Sequence, residues 1–380
     1  MRKYRRGLVL AAALCTAFLI YGCQKTDTKE TKETTAVQSE ATTVLPSEST
    51  EKNSSESTGE KTRVFTDSAG REVTLPEDIQ KIAPSGPLAQ IVLYTVAPDK
   101  LAGLASDFSD DAKKYIDEKY WGLPKFGQFY GKNANLNMEA LIAAKPDVII
   151  DIGEAKKTVK EDMDALSKQL GIPVVFVEAD LDSMSSAYKM LGEITGETQQ
   201  AAKLADYCDS TLKKAETAKA SLGADQKKSV YFAIGDNGLH TNAEGSIHAR
   251  VIEQIGAENA AKVDQASSGG GSEVSMEQLL LWQPDIILAD SEALYQTITT
   301  DSVWAELNAV KEGHVYQIPS APYSFMSNPP SVNRMIGILW LGNLVYPEQY
   351  HEDVKSDVKT FYDLFYHVQL TDAQAEEIVK

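Results

Sequence analysis

The sequence predicts an α/β protein: two Rossmann-like lobes with mostly parallel sheets, bridged by one long α-helix. A repeat is the first sign. Met138-Glu139-Ala140-Leu141 leads into Lys145-Pro146-Asp147-Val148-Ile149-Ile150, and Met276-Glu277-Gln278-Leu279 leads into Gln283-Pro284-Asp285-Ile286-Ile287-Leu288, at a constant offset of 138 residues. Each copy reads as a short helix opened by a polar cap, Asn137 or Ser275. Pro146 or Pro284 stops that helix, because proline lacks an N–H and clashes with the preceding turn. The apolar β-branched run that follows reads as a buried parallel strand. Alternation of short apolar runs with helical or loop segments, before and after the chain's middle, is the second sign. The third is the proline-free helical pattern from Ser183 to about Leu222, which lies between the two copies of the repeat.

In chain order, residues 1–22 read as a signal peptide. Arg2, Lys3, Arg5 and Arg6 precede an apolar stretch from Gly7 to Ile20, short of the ~20 residues a spanning helix needs. Ile20-Tyr21-Gly22-Cys23 resembles a bacterial lipobox, with Tyr21 where a small residue is usual. Cys23 is therefore the expected lipidation site and the mature N-terminus. Residues 23–62 are rich in Ser, Thr, Glu and Lys and cannot bury enough apolar surface to offset their ordering entropy. They read as a disordered tether, so the body is expected outside the cytoplasm, held by lipid to the bacterial cell membrane. The net charge of −18 grows more acidic once the basic signal is removed, and it argues against a nucleic-acid partner. Of the three cysteines, Cys15 leaves with the signal, Cys23 carries the lipid, and Cys208 is expected as a buried, inert thiol.

The body is expected as a first lobe over 63–182, a bridging helix over 183–222 and a second lobe over 223–380. A hairpin from Val64 to Leu75 turns at Asp67-Ser68-Ala69-Gly70. First-lobe strands are expected at Lys81–Ala83, Leu101–Leu104, Val148–Asp151 and Val174–Val177. Those of the second lobe are expected at Val230–Ile234, Ile286–Ala289 and Val315–Ile318.

From about Arg63 onward the chain resembles substrate-binding proteins of ABC importers in the iron–siderophore, haem and cobalamin group. The resemblance rests on Asp67-Ser68-Ala69-Gly70-Arg71-Glu72-Val73 with Leu75-Pro76, on Ala97-Pro98-Asp99-Lys100-Leu101-Ala102-Gly103, on the paired Met-Glu…Pro-Asp motifs, and on Ile255-Gly256-Ala257-Glu258-Asn259. It implies a monomer that holds its ligand between the lobes. It also implies that Glu139 and Glu277, one per lobe, dock the transmembrane dimer of an ABC permease. Each carboxylate could equally serve only the dipole of its own helix start.

Several residues are candidates for the cleft. Ser85 and Gly86 follow the first strand and open a helix, where a doubly wound lobe has its crevice. Phe126-Gly127-Gln128-Phe129-Tyr130-Gly131 offers Tyr130, and less strongly Phe129, as aromatic walls, with lobe core as the alternative for the phenylalanines. Ser331 reads as a helix cap, which places Arg334 in a first turn where a cation opposes the helix dipole. A ligand anion or a neighbouring Asp or Glu should compensate it. Tyr323, Phe325 and Met326, just upstream, could line the same cleft. His248 is a candidate hydrogen-bond donor or haem contact; the five histidines lack metal-site spacing, and no bare metal site is expected. Ser267–Ser272 lacks the preceding strand of a phosphate loop and reads as a cleft-edge loop.

No nucleophile elbow, P-loop, His-Glu metal motif or cysteine nucleophile is present, so a ligand receptor ranks above a surface-anchored enzyme on the same frame. No cofactor is expected. A ferric siderophore is the first-ranked ligand because aromatics suit a bulky chelate; corrinoid or haem, and molybdate- or tungstate-like oxyanions, follow.

Overall fold

The computed structural model describes residues 61–131, 133–266, 271–351 and 353–380. The expected signal peptide, Cys23, most of the tether and Ser267–Gly270 lie outside the described residues.

Among the described residues eleven strands are formed: β1 (Thr62–Thr66), β2 (Glu72–Pro76), β3 (Ile82–Pro84), β4 (Val148–Gly153), β5 (Val174–Glu178), β6 (Ser229–Ile234), β7 (His240–Thr241), β8 (Glu258–Asn259), β9 (Ser272–Glu273), β10 (Ile286–Ala289) and β11 (Val315–Gln317). β1 and β2 make the expected antiparallel hairpin. Its turn is tied by Asp67, whose carboxylate accepts from the Ala69 and Arg71 N–H groups and pairs with the Arg71 guanidinium at 2.9 Å. In the first lobe β3, β4 and β5 form a parallel sheet with β4 central. In the second, β11, β10 and β6 are parallel, β8 adds parallel to β6, and β7 and β9 extend the sheet antiparallel.

Successive strand residues point to opposite faces, and both faces are buried here. Ile82, Val148, Ile150, Val230, Phe232 and Ile286 enter one core shared by the two lobes. Ala83, Ile149 and Phe176 enter a core on the outer face of the first sheet, and Tyr231, Ala233 and Ile287 enter another on that of the second. Two-sided burial is why these strands read as unbroken apolar runs.

The repeat is the same construction twice. Asn137 accepts from the Ala140 N–H at 3.0 Å, and Ser275 accepts from that of Gln278 at 3.3 Å. Both helices, Met138–Ala144 and Met276–Trp282, end on a left-handed residue, Lys145 or Gln283. The aspartate after each proline then clamps the neighbouring strand. Asp147 accepts from the Gln80 and Lys81 N–H groups at 2.8 Å, and Asp285 accepts from the Ser229 N–H and hydroxyl at 2.8 Å.

Three expectations are corrected. The single helix over 183–222 is two helices, Met184–Thr195 and Thr198–Ser221. Gly196 adopts φ 81°, a left-handed cap whose N–H returns to the Gly192 carbonyl at 2.9 Å, so the chain folds back and packs the two helices on one another. Gly192 serves that packing, since a Cβ there would lie 2.6 Å from that of Ala201. Next, the strand expected at Leu101–Leu104 is reduced to two isolated bridges, Leu101 to Ile82 and Leu104 to Lys125. Gly103 between them lies under the Phe126 ring. Finally, the C-terminal residues do not stay with the second lobe. The helix Val354–Phe361 and the wide turn Tyr362–Tyr366 return to the first lobe and the connecting helices: Tyr362 meets Tyr115 of the first lobe at 5.2 Å, Phe365 meets Tyr188 at 6.0 Å, and Gln200 donates to the Leu364 carbonyl at 2.9 Å. The aromatic face of that segment has to be buried, and the first lobe and the connecting helices supply the matching tyrosines.

Candidate functional site

Parallel strands direct their carboxyl ends toward the crevice. Here β3 ends on Pro84 with Ser85 next in the chain, and β4 carries Asp151 near its end. Both abut a hollow of about 370 Å³ that also takes in Gly86, Tyr130, Glu154 and Lys156 from the first lobe and Ile247 and Pro329 from the second. Asp151 is buried, and it organises the first-lobe wall. Tyr130 donates to its Oδ2 at 2.6 Å, and the Ser85 hydroxyl donates to Oδ1. Burial raises the Asp151 carboxyl pKa above its ordinary value, with the Ser85 and Tyr130 hydrogen bonds acting in opposition. Burial, and then the Asp151 charge, raise that of the Tyr130 phenol. Lys156 sits 5.9 Å from the centre of the half-buried Tyr130 ring.

The opposite wall is built on the helix Asn333–Val345 and the loop before it. Arg334 is fully buried. Its Nε donates to the Ser331 carbonyl at 3.3 Å and its Nη1 to that of Ile247 at 3.2 Å, while Nη2 has no partner. Among the described residues no carboxylate contacts the guanidinium; Asp180, Glu154 and Asp182 act on it only through space. Burial therefore brings its pKa down to about 10. His248, whose Nδ1 meets the Ser327 hydroxyl, lines an adjoining hollow of about 320 Å³ that shares Glu154 and Ile247 with the first. Burial, and then the Arg334 charge, lower its pKa. Across the lobes Arg250 pairs with Asp182.

Of the expected cleft residues, Ser85, Gly86 and Tyr130 line the interlobe hollow, His248 lines its neighbour, and Arg334 stands behind Ile247. Three others do not reach it. Phe129 packs with Phe126 and Ile149 in the outer core of the first lobe. Phe325 and Met326 are fully buried in the shared core, with Phe325 edge-on to Trp340 at 6.5 Å. Apolar bulk next to a glycine-rich or proline-rich loop satisfies the core first. Asp151 was missed, although a carboxylate terminating an apolar strand at the crevice end was legible. Ile247 carried no local signal. Glu139 and Glu277 are both exposed, and helix-start hydrogen bonds from its own N–H, and then from Ser275, hold the Glu277 carboxyl below its ordinary pKa. Among the described residues, no cluster of His, Cys, Asp and Glu is arranged to hold a metal ion, and no helix is long and apolar enough to cross a membrane.

A larger hollow of about 550 Å³ lies elsewhere, lined by Tyr94, Tyr120, Lys100 and His367. It lacks the strand ends that open on the interlobe hollow.

Comparison with known proteins agrees with this geometry. An uncharacterised ABC transporter substrate-binding lipoprotein of Bacillus subtilis, YvrC, is 25% identical over 358 residues, covering 92% of this chain and 99% of its own. The molybdate-binding protein MolA of Haemophilus influenzae is 25% identical over 333 residues, covering 80% and 91%. Among solved structures, an ABC transporter solute-binding protein of Sulfurospirillum deleyianum superposes with a TM-score of 0.77 at 30% identity, covering 83% of this chain and 98% of that one. The family model described as periplasmic binding protein matches residues 100–322. With that match, two α/β lobes and a crevice between them, this chain belongs to the periplasmic binding protein family, as a substrate-binding protein of an ABC importer.

Proposed function

We propose that the chain captures a compact anionic ligand between its lobes and delivers it to an ABC permease, without catalysis, from a lipid anchor on Cys23. The observation that carries the ligand class is Arg334. A buried donor without a partner costs about 1–3 kcal/mol, more when charged, and Nη2 is such a donor. A ligand oxygen entering past Ile247 would supply the missing acceptor. The N–H groups opening the helix Pro87–Val96 would meet its remaining oxygens from the first lobe, beside Ser85 and Tyr130, whose own protons go to Asp151. A hollow of about 370 Å³ suits a compact oxyanion, and the relative MolA is named for binding molybdate.

A ferric siderophore, expected first from the aromatics, loses most of that basis with Phe129, Phe325 and Met326 in the core. An anionic metal chelate stays as the second reading because of Tyr130, whose half-buried ring offers a chelate one aromatic wall. Calorimetric titration of the purified protein with molybdate, alongside metal analysis of protein taken from its native host, tests both. Saturable one-to-one molybdate binding supports the oxyanion. Co-purifying iron or cobalt with no molybdate heat supports the chelate. Neither a heat nor a bound metal would overturn the anion reading.

A further inference from the structure

The two copies of the repeat share more than a glutamate. Ile142 stands three residues after Glu139, and Leu280 three residues after Glu277, so the aliphatic positions obey the same register as the acidic ones. Both are exposed, Ile142 by 58% and Leu280 by 37%, and Leu281 beside the latter is 84% exposed. Residues three apart on a helix share a face. Each lobe therefore turns a carboxylate and a large aliphatic group to solvent together.

A single exposed aliphatic residue is ordinary. Among the described residues, however, the exposed large hydrophobics are Val64, Ile142, Leu280, Leu281 and Val303, and three of these five fall on the two short repeated helices. Both helices are held rigidly. Leu141 and Leu279 anchor them in the outer cores, and Asp147 and Asp285, just beyond them, tie the chain to the starts of the neighbouring strands β3 and β6. Neither Glu139 nor Glu277 has an ion-pair partner among the described residues.

We propose that Ile142, Leu280 and Leu281 are the apolar half of a two-part docking surface for the permease dimer. On this view the aliphatic side chains enter recesses on the two transmembrane subunits while Glu139 and Glu277 meet basic groups beside them. The proposal rests on the importer reading above. A two-fold partner offers each recess twice, which equivalent patches on two lobes match. A second copy of this chain fits less well, because it would bring carboxylate against carboxylate on a chain whose full sequence has a net charge of −18. The charges would steer encounter, and the aliphatic groups would slow release.

In the native host, a photo-crosslinking residue is placed in the full-length protein at Ile142, at Leu280 and, as an exposed control, at Val303. Adducts with an ABC transmembrane subunit, identified by mass spectrometry, are expected from the first two positions and not from the third. With the probe moved to Ala143, the variant Ile142→Asn, Leu280→Asn, Leu281→Asn should lose about tenfold or more in adduct yield, since burying one such side chain is worth about tenfold in affinity. Its melting temperature should not change, because the substituted side chains are exposed. Glu139→Arg with Glu277→Arg, read with the same probe, separates the two ideas. If charge reversal abolishes the adduct and the asparagine variant does not reduce it, glutamate docking stands and the aliphatic proposal fails. Adducts with a second copy of this chain, equal yield at Val303, or no effect of either variant would overturn both.

Discussion

Replacing Arg334 by methionine removes the charge and its donors while nearly keeping the length of the side chain. In the protein as it stands, burial lowers the Arg334 pKa from its ordinary value to about 10. At 1.36 kcal/mol per unit, holding the charge there costs on the order of 3 kcal/mol. Two hydrogen bonds, to the Ser331 and Ile247 carbonyls, work against that cost. Hydrogen bonds from a charged group contribute about 1.5–3 kcal/mol each. The two bonds sum to about 3–6 kcal/mol against a cost of about 3, so removing Arg334 should lower stability without ligand by about 0–3 kcal/mol. Binding behaves differently. If a ligand oxygen accepts from Nη2, the variant loses one charge-assisted hydrogen bond, about 1.5–3 kcal/mol, or roughly 10- to 150-fold in Kd. Calorimetry with molybdate reads the affinity, and urea denaturation reads the stability. Both the ordinary and the shifted pKa lie far above neutral pH, so the guanidinium stays charged throughout the assay. Unchanged affinity together with a stability loss above about 4 kcal/mol would refute the reasoning and make Arg334 a purely structural cation.

Asp151 should impose a pH dependence. Burial raises its pKa above the ordinary 3.8, so the folded chain holds that proton more tightly than the unfolded chain. Its stabilising contribution is complete below the ordinary value and fades as pH rises through the raised one. The melting temperature of Asp151→Asn should therefore gain on that of the unmodified protein from acid toward neutral pH, and a pH-independent difference would contradict the assignment. Gly196→Ala forces a side chain into φ 81° where the nearest atom, Lys100 Nζ, is 4.0 Å away; the cost should be about 1–2 kcal/mol of backbone strain in urea denaturation. Glu139→Arg with Glu277→Arg should abolish molybdate accumulation by cells while leaving calorimetric affinity unchanged; normal accumulation at matched expression would remove the docking role. Cys23→Ala should shift the protein from membrane to soluble fractions, and unchanged partition would exclude lipid anchoring at that residue.

The repeated Met-Glu and Pro-Asp segments determined, without coordinates, where two caps, two helix ends and two buried strands would fall. Each depends on interactions within a few residues: Asn137 and Ser275 reach an N–H three positions on, and Pro146 and Pro284 break their helices by local clash. Apolar runs likewise marked most of the strands, since two-sided burial leaves its signature in composition. Gly192 and Gly196 both stand in the helical pattern over 183–222, but one helix with two glycines and a pair folded back on itself read alike. Choosing between them needed the packing of Ala201 against Gly192. The site divided along the same line. Ser85, Gly86 and Tyr130 could be placed because strand ends and their loops face the crevice in this topology. Phe129, Phe325 and Met326 could not be told from ligand walls, because a core and a cleft favour the same apolar side chains and differ only in what lies opposite. For Arg334 the sequence posed the question of a compensating anion. Tertiary structure alone decided that no carboxylate among the described residues touches it, because the residues nearest a buried charge come from segments remote in the chain.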